Sequence, residues 1–422
     1  MSSPPPRPQP SLRHAGWFSA VPVKVRWLVY LSAPTNAAGG FFFVVIAAYL
    51  PELGLGSDLV GLILGMSGVA MVLSAIPLGL VSDRRGRRGM LIAGALGFPP
   101  VLLILALTAD PTWLVLAGIA GGIAEAAFLA TWNALIADGT PLEARNSAFS
   151  LSFVVGTTTS GLGFALPLAF PAVQAWTGAD SLAVHRGALL AFTAIALITP
   201  VGLAFLLRDH VETVRPRKGG TSPRRLGLLY RFSAINGVIG LGAGFIIPLI
   251  PTWLYLKFGV LDIHSGPLLA LSSLTMGLAA FGSAALAARY GSVRAIVMTQ
   301  GLSTAFMVSL AFVPNAVLAG GLYVVRAALM NMASPIMDAY LMGIIAPDQR
   351  GFASALNSIV WRLPNSVSTV AGGVLLASGE YELPFLLAAG LYLFAISLFY
   401  VAFRNVQPRR TETDAAATPE VS

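Results

Sequence analysis

Twelve runs of apolar residues follow one another along this chain, separated by short polar breaks. They cover residues 27–50, 57–81, 89–108, 112–137, 147–172, 187–207, 226–256, 265–288, 295–313, 317–345, 352–377 and 385–403. A helix needs about 20 apolar residues to cross the hydrocarbon core of a bilayer. The pattern therefore predicts an all-α membrane protein with twelve transmembrane helices, numbered here as spans 1 to 12. Pro77, Pro167, Pro248, Pro335 and Pro364 fall inside the runs. They would be odd in soluble helices, whereas membrane helices tolerate them because neighbouring groups satisfy the freed backbone.

Composition closes off the soluble alternative. Of 422 residues, 56% are hydrophobic and only 10% are charged, against about 25% charged in an ordinary soluble domain. No water-soluble core hides that much apolar surface. With no cysteine, disulfides and thiolate metal sites are excluded, and the four histidines form no ligand-spaced pair, so neither metal nor cofactor is expected. The first run is too long, and is followed by too many others, to be a cleaved signal. Residues 1–24 and 405–422 are expected to be disordered tails, since neither can bury enough surface to offset ordering.

The net charge of +8 does not point to nucleic acid, because its distribution follows the membrane. Arg7, Arg13, Lys24 and Arg26 precede span 1, Arg84, Arg85, Arg87 and Arg88 lie between spans 2 and 3, and six further basic residues lie between spans 6 and 7. The opposite loops carry Glu52, Asp58, Asp110, Asp180, Asp262, Glu380 and Glu382, with Arg186 and Lys257 as their basic residues. The positive-inside rule then puts both termini in the cytoplasm of a multi-pass protein of the cell (inner) membrane. The juxtamembrane arginines also predict attraction to anionic lipids.

The halves match at an offset of 205 residues: Gly61, Met71 and Gly86 align with Gly266, Met276 and Gly291, and Glu143, Arg145, Ala148 and Leu151 with Asp348, Arg350, Ala353 and Leu356. Two six-helix domains, 25–207 and 226–404, joined by a cytoplasmic linker at 208–225, are the expected organisation. Parallel repeats of this kind suit alternating access, with solute held between the domains near the midplane.

Between spans 2 and 3 runs Gly79-Leu-Val-Ser-Asp83-Arg84-Arg-Gly86-Arg87-Arg88. In its Gly79, Asp83, Arg84, Gly86, Arg87 and Arg88 the segment closely resembles the loop 2–3 motif of the major facilitator superfamily, and the similarity extends over roughly residues 25–404. The resemblance implies a carrier in which Asp83 interacts with the start of span 11 in the outward-open state, so that the motif latches the cytoplasmic gate. The residue chemistry agrees: Gly79 permits close helix contact, Gly86 makes the turn, and an acid suits a helix N-terminus. The second copy, Ala288 to Arg294, lacks the acid. Within the family, the chain is loosely similar to the drug/proton antiporter branch. Those antiporters carry an arginine in span 4 and a Gly-Pro motif in span 5. Here span 4 has Glu125, and Gly156 to Gly163 has no proline.

Four ionisable residues fall deep within spans: Glu125 in span 4, Arg326 and Asp338 in span 10, and Arg362 in span 11. Exposure of such groups to lipid is costly, so each is expected to face the bundle interior or a wet cavity. Glu125 is the first candidate for proton coupling and Asp338 the second. A Glu125–Arg326 contact across the cavity and an Asp338–Arg362 pair between neighbouring helices are both expected. Asn36, Phe42, Trp132, Asn133, Asn236, Asn331, Asn357 and Trp361 join Arg326 and Arg362 as cavity candidates, since amides beside aromatics accept an amphipathic molecule. The same amides can instead join helices. Gly156, Gly161, Gly163, Gly372 and Gly373 read as close-packing positions.

With no Gly-Lys-Ser/Thr loop to harness ATP, the energy must come from a gradient or from the solute. The expected function is secondary active transport, coupled to protons, of a small organic or amphipathic solute, by a protein working as a monomer, with export slightly favoured. A facilitator or importer of an organic anion is the alternative. A membrane enzyme or lipid flippase-like protein is a distant one, since no nucleophile–base constellation is visible.

Overall fold

The computed structural model describes residues 21–141, 144–208, 226–345 and 350–406. The outer parts of both tails, the linker from 209 to 225, Glu143 and Asp348 lie outside the described residues, as does the Asp83 side chain. The described residues form sixteen α-helices and no strand. In chain order these are α1 Val23–Leu31, α2 Ala33–Glu52, α3 Ser57–Arg85, α4 Arg87–Gly97, α5 Pro99–Leu107, α6 Pro111–Asp138, α7 Arg145–Ala165 and α8 Phe170–Thr177. They continue with α9 Ser181–Leu206, α10 Leu226–Gly244, α11 Ile250–Phe258, α12 Asp262–Tyr290, α13 Ser292–Ala311, α14 Ala316–Ile344, α15 Arg350–Ala377 and α16 Leu383–Phe403.

Proline explains why the helices outnumber the apolar runs. Pro34 in the first turn of α2 marks the division of the first run, Pro99 and Pro100 open α5 and divide the third, and 3₁₀ turns carrying Pro167 and Pro248 interrupt the fifth and seventh. A proline lacks the N–H that continues a helix ladder. Pro77, Pro335 and Pro364 stay within unbroken helices. Among the described residues, ten stretches are long and apolar enough to cross a membrane. The remaining long helices, α12 and α15, are 29 and 28 residues and pack within the same bundle.

Glycines set the closest contacts. A Cβ on Gly61 of α3 would lie 2.7 Å from the Gly373 Cα of α15, and one on Gly65 would lie 2.7 Å from the Ser366 carbonyl oxygen. On the other side of the bundle, Gly266 of α12 sits against the Phe164 carbonyl of α7, and Gly163 sits against Ala37 of α2. Such small-residue seams let membrane helices approach backbone to backbone. Gly163, Gly372 and Gly373 are therefore close-packing positions, whereas a Cβ on Gly161 would meet nothing within 4 Å.

Residues matched by the 205-residue offset share local features. Gly61 and Gly266 both meet a helix of the opposite half, and Gly86 and Gly291 share one backbone shape, with φ of +100° and +78° and ψ near 150°. That region admits glycine almost alone.

The two ends of the bundle differ. At the end bearing the acidic loops, α3 meets α15 and α7 meets α12 through the glycine contacts above. Toward the basic-loop end the same face of α3 opens: Ile76 is exposed, and a Cβ on Gly79 would meet nothing within 4 Å among the described residues. The reading of Gly79 as a close-contact position is therefore not met in this state. Phe153 of α7 and Leu278 of α12 are exposed in the same half.

Candidate functional site

Midway along the bundle lies a cavity of about 470 Å³, walled by α2 through α7 on one side and by α15 and Pro248 on the other. Its apolar lining includes five aromatic rings, Phe42, Phe43, Phe98, Phe128 and Trp361. On α6, Gly118, Gly121, Glu125 and Phe128 recur at helical spacing and turn one face to the cavity. Arg362, Ser366 and Thr369 do the same on α15. Gly122 of α6 lies against the Ser67 carbonyl of α3, which holds Glu125 at this depth.

Glu125 Oε1 and Arg362 Nη1 face each other at 3.8 Å, with side chains 52% and 41% exposed into the cavity. That separation exceeds the usual 2.7–3.2 Å of an N–H···O bond. The charges attract, yet the carboxylate keeps lone pairs and the guanidinium keeps N–H groups for a third party. Arg362 Nη1 also lies 3.1 Å from Met71 Sδ. The pair joins the two halves of the sequence across the cavity.

The structure redistributes the other candidates. Asn36 and Phe42 line the cavity. Asn36 Nδ2 donates to Ser32 Oγ, and Phe42 packs edge-on against Phe98. Arg326 does not approach Glu125. It is buried in the second half, where it donates to the Tyr392 hydroxyl at 3.2 Å, and no acceptor among the described residues reaches its Nε. The expected Glu125–Arg326 contact is replaced by Glu125–Arg362. The expected Asp338–Arg362 pair is likewise absent: Arg362 turns to the cavity, and Asp338 is exposed outside its lining. Trp132 is packed, stacking on Phe128 at 5.0 Å and donating to Ser152 Oγ. Asn236 donates to Asn357 Oδ1 across α10 and α15, and Asn331 to the Ala327 carbonyl of its own turn. Asn133 is exposed outside the lining.

Sequence reasoning missed Ser67, Ser366 and Thr369 as cavity residues. Counting four and seven positions onward from Arg362 finds the last two. It also missed a contact at the acidic-loop end, where His185 of α9 lies between Glu52 of α2 and Asp262 of α12. Both acids read as loop residues, but Asp262 is buried.

A profile of the Major Facilitator Superfamily matches residues 27–238 and 232–421. The chain belongs to this superfamily. Multidrug resistance protein MdtG of Proteus mirabilis (strain HI4320) is 22% identical over 386 residues, which is 88% of this chain and 94% of MdtG. Inner membrane transport protein YajR of Escherichia coli (strain K12) is 29% identical over 175 residues, 40% of this chain and 35% of YajR. Among solved structures, a mutant form of nucleoside transporter NupG superposes with a TM-score of 0.73 at 14% identity, covering 90% of this chain and all of that one. A bacterial homolog of the human lysosomal transporter Spinster, inward-facing and occupied, gives 0.70 at 17%, covering 90% and 96%. These superpositions establish a shared fold.

In this major facilitator protein, a multi-pass membrane transport protein, the segment from Gly79 to Arg88, the end of α3 and the start of α4 about the Gly86 turn, ties helices of the first half together. Arg87 is ion-paired with Asp138 at the end of α6. Arg88 donates to the carbonyls of Ala204 and Arg208 at the end of α9, where exposed carbonyls favour a cation. Arg84 is exposed.

Proposed function

We propose that this protein is a proton-coupled secondary transporter that moves a small organic or amphipathic solute by alternating access, with export favoured. The observation that carries the reading is the Glu125–Arg362 pair, open to an aromatic cavity between the two halves. A carboxylate there can take up a proton when the guanidinium withdraws or engages solute, and can lose it when the pair re-forms. Likeness to a multidrug resistance protein over most of the chain favours an amphipathic solute and outward transport.

In this reading α12 and α15 also cross the membrane, giving twelve spans in two six-helix domains, 25–207 and 226–404, around the 208–225 linker. The basic-loop end is cytoplasmic, as are both termini, in the inner membrane. The closed acidic-loop end makes this state inward-facing. The segment from Gly79 to Arg88 is the cytoplasmic gate, with Asp83 as its latch. Anionic lipids meet the basic turns, and the monomer is the working unit.

The test is reconstitution in proteoliposomes, with solutes of each charge class offered with and without an imposed pH gradient. Glu125→Gln is expected to stop pH-driven accumulation while solute binding persists. Uphill transport at the wild-type proton stoichiometry in that variant would remove Glu125 from the coupling role and make Asp338 the next carboxylate to examine. Because Arg362 is held only at 3.8 Å, a second reading is an importer or facilitator of an organic anion. Under it, Arg362→Gln abolishes binding of anionic solutes and no cationic or neutral solute competes.

A further inference from the structure

The contact at the acidic-loop end combines features found nowhere else among the described ion pairs. His185 is buried, and each of its ring nitrogens faces oxygen acceptors. Nε2 lies 3.0 Å from Asp262 Oδ2, and Nδ1 lies 3.1 Å from Glu52 Oε2 and 2.9 Å from the Ser181 carbonyl oxygen. The Ser181 hydroxyl, 3.4 Å from Nδ1, turns its proton to Glu52 instead, so a neutral imidazole, with one N–H, would leave its bare nitrogen against an acceptor. The imidazolium, with two N–H groups, satisfies both sides at once.

The surroundings leave these acids as the charged groups that face the ring. On α2, Tyr49 packs beside it at 5.8 Å between ring centroids, and Phe170 of α8 meets it edge-on at 4.9 Å. Arg186, next in sequence, turns toward the Tyr49 hydroxyl. The neighbouring α5 and α8 carry no titratable residue. The charged residues of α1 and α4, which also pack on α9, lie at the basic-loop end. On α12, Asp262 is buried against the ring, while His264 is exposed. Ser181 Oγ donates to Glu52 Oε1 at 2.7 Å. The Glu52 side chain is 24% exposed, and so connects the buried ring to the water at that end.

Asp262 opens α12 in the second half of the sequence, four residues before the Gly266 seam, whereas Glu52 and His185 belong to the first half. We propose that His185, Glu52 and Asp262 form a proton-binding gate: the doubly protonated imidazole clamps the acidic-loop end shut, and loss of one proton releases it. The proton leaves a ring nitrogen for the Glu52 carboxylate and then for water, and the reverse path reseals the gate. A metal ion is not the ligand the geometry fits, since the ring nitrogens point at the carboxylates themselves. No group of three or more His, Asp or Glu among the described residues is arranged to hold a metal ion.

The proposal rests on the alternating-access reading but not on the direction of transport or on Glu125. The chain contains no cysteine, so spin labels can be placed at Trp176→Cys and Glu380→Cys, two exposed positions in opposite halves at this end. Distances are then measured by pulsed electron resonance in detergent, where both ends share one pH, between about pH 5 and 9, bracketing the ordinary imidazole value. Wild-type protein is expected to shift from the short to the long distance as pH rises, by about tenfold in the population ratio. His185→Gln should flatten that response to less than about twofold, and His264→Gln should leave it intact. Glu52→Gln, partly exposed and therefore tolerable for folding, should reduce the response even if His185→Gln misfolds. A wild-type distance that does not move with pH, or a full response in His185→Gln or Glu52→Gln, overturns the gate. A pH-dependent distance in a protein that moves no solute would sink the transport reading instead and leave the gate standing.

Discussion

The two ends of this molecule are built from the same long helices and behave differently. At the acidic-loop end, glycine meets backbone across α3 and α15 and across α7 and α12, and a charged cluster ties α12 to α2 and α9. At the basic-loop end the cross-half glycine contacts are missing among the described residues, and Arg87 pairs with Asp138 and Arg88 with the end of α9, contacts that lie within the first half. A seam made of backbone needs both halves in register to exist, whereas charges satisfied within one half let the other move away. The difference teaches that charge position, more than charge number, decides which end holds the halves together.

The comparison breaks most severely at Gly61. A valine there would drive its Cβ to 2.7 Å from the Gly373 Cα, with backbone on both sides and nothing flexible to yield. Gly61→Val should keep the acidic-loop end from closing and lower transport by about tenfold or more. An impermeant thiol reagent applied from that end should label Thr369→Cys in the Gly61→Val background but not alone. Equal labelling in both would mean the seam is not what closes this end.

Gly86→Ala probes the basic-loop end. At φ +100° a Cβ strains the turn whatever the space around it, so a loss of about 1–3 kcal/mol is expected, read as a lowered melting temperature. Gly291→Ala, in the matching turn, should cost a similar amount. A large loss at one and none at the other would argue that the turns are not equivalent.

The smallest effect is expected at Glu382. Its carboxyl is held below the usual range by the hydrogen bond and charge of Lys257, at 2.8 Å. A depressed carboxylate contributes stability that is present at neutral pH and is lost as pH falls through its folded-state value. Glu382→Gln should therefore lower stability near pH 7 by less than about 1 kcal/mol, because the pair is partly exposed. It should also remove the corresponding decline at acid pH in thermal melts.

Reading along the chain went far with the helices and less far with their facing. Apolar run length located α3, α6 and α12 to α16 within a few residues, though α9 begins six residues before its run, and the Gly86 turn was legible from the surrounding arginines. Glu125 was read as a deep residue of span 4, and its side chain lines the cavity. Its partner was not legible, because Arg326 and Arg362 both sit deep in spans and only packing decides which one turns inward: Tyr392 of α16 draws Arg326 into the second half. His185 and Asp262 show the same limit. Both lie outside the apolar runs, so only their place at the same end could be read. The crossing that brings them to 3.0 Å from 77 residues apart could not.

The glycines of α3 and α15 also bear on temperature. When Gly61 and Gly65 come against Gly373 and the Ser366 carbonyl, the glycines have no rotamers to freeze. A seam of leucine or methionine would instead give up roughly 0.5–2 kcal/mol of side-chain entropy for each residue ordered. Closing this seam therefore carries little configurational cost from its own surface, and the balance between its open and closed forms should drift only gently as the cell warms or cools.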